Sequence, residues 1–96
     1  MRINLSPQNP TVVAEIYNVA DVNVLVVPED TSTITVEWTI SSAEDIKKGT
    51  ALWQFWALGS VTGEPVSAEF DRSVSHLRFT AITGSGAVEY LKLGGV

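Results

Sequence analysis

The stretch Ser32-Thr33-Ile34-Thr35-Val36-Glu37-Trp38-Thr39-Ile40 has the most regular pattern in this chain of 96 residues. Ile34, Val36, Trp38 and Ile40 stand at alternate positions, with threonine or glutamate between them. Successive side chains of a β-strand point to opposite faces of the sheet. The alternation therefore predicts a strand with one buried face and one hydrated face.

Strand signals of the same kind recur on both sides of this segment, with β-branched residues between turn residues at short intervals. They predict strands over Thr11 to Tyr17, Val22 to Val27, Thr50 to Leu58, Val66 to Phe70, Ser75 to Ile82 and Ala87 to Leu93. Residues 1–10 are expected to be an N-terminal arm or an edge strand. The sequence thus predicts one all-β domain over residues 1–96, an antiparallel β-sandwich or jelly roll of about seven or eight short strands.

Turn and capping residues separate the predicted strands. Ser41-Ser42-Ala43-Glu44 fits the capping-box pattern, and Gly49 suits the left-handed end of a helix, which together predict a short helical turn near residues 43–48. Thr83-Gly84-Ser85-Gly86 is typical of a hairpin loop, since its glycines tolerate positive φ. A further turn is expected at residues 18–21.

The predicted strand from Thr50 to Leu58 is apolar on both faces, whereas nearly every other predicted strand alternates between apolar and polar residues. We expect Trp53 and Phe55 to point one way, with Trp53 in the core. The opposite side chains form the predicted contact with another copy or a partner: Trp56, Leu58 and Leu52. Two alternatives remain open at this stage, burial of both indoles in the core and a platform for sugar rings.

Composition excludes several classes of function. The chain has no cysteine, 11 acidic and 6 basic side chains, and a net charge of -5, with no basic cluster. We therefore expect no disulfide, no thiolate metal site and no nucleic-acid partner. No apolar run is long enough for a membrane span and the N-terminus lacks a signal-peptide pattern, so we expect no membrane partner and synthesis in a cytoplasm.

Candidate catalytic groups are few. His76 is the sole histidine and is predicted on the outward face of its strand, as a surface or interface residue, without a nucleophile and a carboxylate to complete a catalytic set. The carboxylate pairs Glu29-Asp30 and Glu44-Asp45 have ordinary roles in a turn and at a helix start. Glu69 and Asp71 share a strand face and could flank a cation, but no oxygen-rich loop of calcium spacing accompanies them. The sequence predicts no catalytic, cofactor or metal site, and a protein that is not an enzyme.

Part of the chain resembles short β-rich proteins encoded among the virion genes of tailed bacteriophages. The resemblance spans residues 33 to 91 and rests on the ordered segments Val36-Glu37-Trp38-Thr39, Ala43-Glu44-Asp45-Ile46, Gly49-Thr50-Ala51, Trp53, Trp56, Gly59, Leu77-Arg78-Phe79-Thr80 and Val88-Glu89. It implies a non-enzymatic virion structural protein, a capsid decoration or cement subunit or a head-fibre component. The implied partners are further copies in a homotrimer and the major capsid protein or another virion protein, and the implied location is the virion. The alternative, from the tryptophans, is a carbohydrate-binding or host-recognition module.

Overall fold

The computed structural model describes residues 1–17, 21–70 and 72–92. Within these ranges it contains nine strands and one helix: β1 Arg2–Leu5, β2 Thr11–Glu15, β3 Val22–Pro28, β4 Thr33–Thr39, α1 Ala43–Lys48, β5 Gln54–Phe55, β6 Val61–Thr62, β7 Val66–Phe70, β8 His76–Thr83 and β9 Gly86–Lys92. The turn predicted at 18–21 lies mostly outside the described residues, as does Asp71.

Two antiparallel sheets face each other. Sheet 1 has the strand order β1-β9-β3-β7, and sheet 2 has the order β2-β8-β4-β5, with β6 paired to the start of β4. Apart from β6, the strands alternate between the sheets along most of the chain, which is the arrangement of a jelly roll. The predicted all-β sandwich or jelly roll is therefore confirmed, and β1 takes the edge-strand alternative by pairing with β9.

The core lies between the two sheets and is built from alternate residues of their central strands. Sheet 1 contributes Val22, Val24, Val26 and Val88, and sheet 2 contributes Ile34, Val36, Leu77 and Phe79. All eight are at most 1% exposed, so the period-two patterns of β4 and β8 placed the core face of sheet 2 correctly.

Ile40 departs from the predicted pattern, because it is largely exposed and lies beyond the last residue of β4. The preceding residue, Thr39, is buried instead. Its hydroxyl donates to the carbonyl of Leu52 at 2.7 Å and accepts from the backbone N–H of Ser41 at 3.0 Å. These two hydrogen bonds offset the cost of burying the Thr39 hydroxyl. The strand, and with it the predicted alternation of buried and exposed side chains, therefore ends at Thr39 and not at Ile40.

Helix α1 spans the predicted range, Ala43–Lys48, but its N-cap is not Ser41, the first serine of the capping-box pattern. The N-cap is Ser42, whose Oγ accepts from the backbone N–H of Asp45 at 3.1 Å, while Ser41 Oγ accepts from the N–H of Leu52. Gly49 ends the helix with φ of 75°, as predicted. In the described part of the chain, no helix has the length and apolar character needed to cross a membrane.

The connection after β8 is not the predicted hairpin, because β8 belongs to sheet 2 and β9 to sheet 1. Gly84 and Ser85 carry the chain across the sandwich in two residues. Gly84 has φ of 69°, and a Cβ there would lie 2.0 Å from Ser32 Oγ, which accepts from the Ser85 N–H. Alternation within each strand does not reveal which strands pair, so the sequence could not separate a hairpin from a crossover.

Candidate functional site

The open edge of the sandwich, where β5 of sheet 2 and β7 of sheet 1 lie on the same side, contains a cleft of about 350 Å³. We call it the edge cleft. Its lining is mostly apolar and aromatic, and its two charged side chains are Glu69 and Arg72. The lining residues are Trp38, Gln54, Phe55, Trp56, Ala57, Leu58, Ala68, Glu69, Phe70 and Arg72. The guanidinium of Arg72 lies over the Trp38 ring, 5.0 Å from its centroid.

Trp56 closes the edge cleft toward the core. It is 5% exposed, its ring stacks on Phe70 with centroids 6.2 Å apart, and its Nε1 donates to the carbonyl of Gly59 at 2.7 Å. The predicted alternation does not hold in this segment, because Trp56 is buried while Leu52 and Leu58, predicted on the same face, are exposed. Trp56 is the core aromatic, and the prediction that its side chain forms a contact surface with a partner does not fit its burial.

Trp53 is half-buried on the outer face of sheet 2, not in the core. The guanidinium of Arg78 covers its ring at 4.3 Å from the centroid, and the same guanidinium binds Glu37 through two hydrogen bonds of 2.9 and 2.7 Å. Glu37 and Arg78 are direct cross-strand neighbours on β4 and β8. A sugar ring needs a free aromatic face, which the buried Trp56 does not offer, so the carbohydrate-platform interpretation is wrong for Trp56.

The predicted nine-residue strand around these tryptophans is much shorter in the structure. Only Gln54 and Phe55 form β5, opposite Trp38 and Glu37 of β4. Leu52 lies opposite Ile40 if this register is continued by two residues, and the hydrogen bond from Thr39 to the Leu52 carbonyl holds the two segments together. Because both residues lie past the end of the core, neither side chain is covered.

Four side chains around the edge cleft are 49 to 83% exposed, and we call them the edge strip: Ile40, Leu52, Phe55 and Leu58. Phe55 and Leu58 line the cleft, and Leu52 and Ile40 lie two residues along the chain from its lining residues Gln54 and Trp38. Together they expose roughly 500 Å² of apolar surface, near the upper limit for the largest patch on a monomer. That Leu52 and Leu58 contact another chain stays a prediction.

His76 is buried, at 5% exposure, so the predicted surface or interface histidine is wrong. Tyr17 packs edge-on against the imidazole at 5.1 Å, and Ser75 Oγ lies 3.0 Å from Nδ1. The Ser75 hydroxyl donates to the carbonyl of Ser41 at 2.6 Å, which leaves its oxygen to accept from His76. Because the Ser75 hydroxyl is directed at the backbone carbonyls of Thr39 and Ser41 and not at the imidazole, the pair lacks the geometry of a serine nucleophile and its base.

Acidic side chains gather at one end of the sandwich. Glu29 and Asp30 lie between β3 and β4, and Glu64 lies between β6 and β7, all three exposed. The carbonyl of Asp30 is 3.9 Å from the position of a Cβ on Gly63, which brings the two loops together. We call these three residues the acidic end. Among the described residues no group of three or more metal-ligating side chains is present, and the absence of a metal, like the absence of catalysis, stays a prediction.

Comparison with known proteins gives no family-model match and no match among curated proteins. Solved structures do match. The Drosophila NLP core, whose structure bears on pentamer formation and histone binding, is 14% identical over 96% of this chain and 97% of its own, with a TM-score of 0.51. Drosophila melanogaster CENP-C bound to CAL1 is 15% identical over 95% of this chain and 62% of its own. Its TM-score of 0.47 is too low to carry an argument.

These comparisons contradict the functional predictions drawn from the phage resemblance. The Drosophila NLP core, whose structure bears on pentamer formation and histone binding, has this fold over nearly its whole length, so the predictions of a capsid decoration subunit, a homotrimer with a capsid partner, and a virion location are wrong. The physical reason lies in the segment of residues 50–58, whose surplus of apolar side chains had suggested a contact with other copies. Much of its apolar surplus is Trp56, which the chain buries by itself. The resemblance to phage proteins itself is tested by neither comparison.

Proposed function

We propose that the protein is a non-enzymatic β-sandwich that assembles with copies of itself and that the assembly binds basic proteins. The observation that carries the proposal is the edge strip, four large apolar side chains that this chain leaves uncovered at one edge of its fold. Covering its roughly 500 Å² contributes up to about 12 kcal/mol at ~25 cal/mol per Å². That gain is comparable to the cost of association, about 4 to 15 kcal/mol.

Five is the copy number that the fold likeness supports, because the NLP core is a pentamer-forming protein of the same fold. Each copy brings a net charge of -5, so an assembly concentrates negative charge on one particle. Fields of this kind attract cationic partners and speed their association. Histone binding by the NLP core makes histones the first basic proteins to test.

Assembly is tested by measuring the mass of the protein in solution with light scattering and native mass spectrometry. We expect the wild-type chain to form a pentamer and Leu52→Glu to be monomeric with an unchanged circular dichroism spectrum. Ile82→Glu is the matched control, because Ile82 is as exposed as Phe55 but lies on β8, away from the edge strip. A wild-type chain that stays monomeric at the highest attainable concentration would rule out the assembly.

Binding of a basic partner is tested by titrating labelled core histones and following fluorescence anisotropy. The double variant Asp30→Asn with Glu64→Gln removes two charges from the acidic end and should weaken binding severalfold more than Glu15→Gln with Glu44→Gln, which removes two charges elsewhere. Binding should also weaken as salt is added, because the contact is between charged surfaces. Equal effects of the two double variants would contradict a localised site.

A further inference from the structure

The outer face of sheet 1 is a second exposed apolar surface, separate from the edge strip. Leu25 and Val27 of β3 and Leu91 of β9 point outward, opposite Glu89, Ala87 and Asn23 in the strand register. Met1 lies beside them, with its ammonium group donating to the carbonyl of Tyr90 at 2.8 Å. The four apolar residues are 37 to 75% exposed, and a depression of about 350 Å³ is lined by three of them, Met1, Leu25 and Leu91, together with the polar residues Asn23, Ser67 and Glu89. We call this surface the sheet 1 face.

A closed ring of identical copies needs two different contact surfaces on each copy, because every copy meets its two neighbours head to tail. The edge strip and the sheet 1 face supply two such surfaces. Three other large apolar side chains are exposed in the described part of the chain, but they are dispersed and do not line one cavity: Val13 on β2, Tyr17 after β2, and Ile82 on β8. In the described residues, the two apolar surfaces are therefore the best-formed pair for a head-to-tail contact.

The directions of the two surfaces fit a small ring. In a ring the two contacts of one copy point apart by an angle set by the copy number, about 60° for three copies and about 108° for five. The edge and the face of a two-layer sandwich point apart by about 90°. An angle near 90° is compatible with a closed ring of a few copies and not with a straight filament, whose two contacts point in opposite directions.

The areas also fit. The exposed fractions of Met1, Leu25, Val27 and Leu91 correspond to roughly 400 Å² of apolar surface, beside roughly 500 Å² on the edge strip. A stable interface buries about 1,200 to 2,000 Å² in total, of which about 60% is apolar. The sum of the two surfaces lies within the apolar area that such an interface requires.

From these observations we infer that the edge strip of one copy docks on the sheet 1 face of the next copy. The inference rests on the proposed self-assembly and specifies its contact. It assigns Leu52 to one side of the interface and Leu91 to the other, so that each copy uses both residues, toward different neighbours.

The test is to mix two variants that each lack one surface. Leu52→Glu removes the edge strip and Leu91→Glu removes the sheet 1 face, and each should be monomeric alone. An equimolar mixture, with one variant labelled with ¹⁵N, should form a dimer of one copy of each, because the pair retains one intact strip and one intact face. Native mass spectrometry counts the labelled and unlabelled chains.

The outcomes separate this contact from the assembly itself. If the wild-type chain is monomeric, the proposed assembly fails and this inference with it. If the wild type assembles but Leu91→Glu assembles equally well, or the mixed variants form no dimer, the assembly stands and the contact is wrong. Circular dichroism melting checks that each variant folds, and Leu25→Glu replaces Leu91→Glu if the latter does not.

Discussion

Replacing Trp56 separates a core aromatic from an interface aromatic. The indole removes on the order of 200 Å² from water, which corresponds to about 5 kcal/mol at ~25 cal/mol per Å². Loss of the hydrogen bond to Gly59 adds about 1 kcal/mol, but water from the adjoining edge cleft can fill part of the space and solvate that carbonyl. We therefore expect Trp56→Ala to lower the free energy of unfolding by about 4 kcal/mol.

The assay is urea denaturation followed by circular dichroism, carried out in the Leu52→Glu background so that self-association does not contribute to stability. Trp56→Phe is the matched control. It keeps an aromatic ring against Phe70 but loses the Nε1 donor, and should cost about 1 to 2 kcal/mol. A loss below about 1 kcal/mol for Trp56→Ala, or equal losses for the two variants, would refute the assignment of Trp56 to the core of its own chain.

Two further predictions concern stability. Gly84→Ala should destabilise the fold by about 3 kcal/mol, because its Cβ would overlap Ser32 Oγ. Gly59→Ala is the control: Gly59 has nearly the same φ but no atom within 4 Å of its Cβ position, so the substitution should cost only about 1 kcal/mol. Equal costs in thermal denaturation would contradict the close contact at Gly84. Arg78→Met should cost about 2 kcal/mol, because it leaves the partly buried Glu37 carboxylate without its ion-pair partner. A double-mutant cycle with Glu37→Gln should give a coupling energy of about 1 to 2 kcal/mol. A coupling energy near zero would show that solvent screens the pair.

Local patterns predicted much of the secondary structure and part of the edge cleft. The aromatic segment near residue 53 was identified as the functional candidate, and its residues do line the cleft. The cleft's other wall was not predicted, because Phe70 and Arg72 reach it only through the pairing of β7 with β3 in the opposite sheet. A lone phenylalanine at a strand end gives no sequence signal that it stacks on a tryptophan elsewhere in the chain.

The sequence by itself determined where the longer strands run and, in β4 and β8, which side chains face the core, and it determined the left-handed glycine that ends α1. These features follow from the two-residue period of a strand and from backbone sterics, which act over a few neighbouring residues. Only the tertiary structure decided that β8 and β9 belong to different sheets, that Trp56 is inside and Trp53 outside, and that His76 is buried. Those outcomes depend on which distant segments cover each face, and a local pattern is the same whichever segment does so.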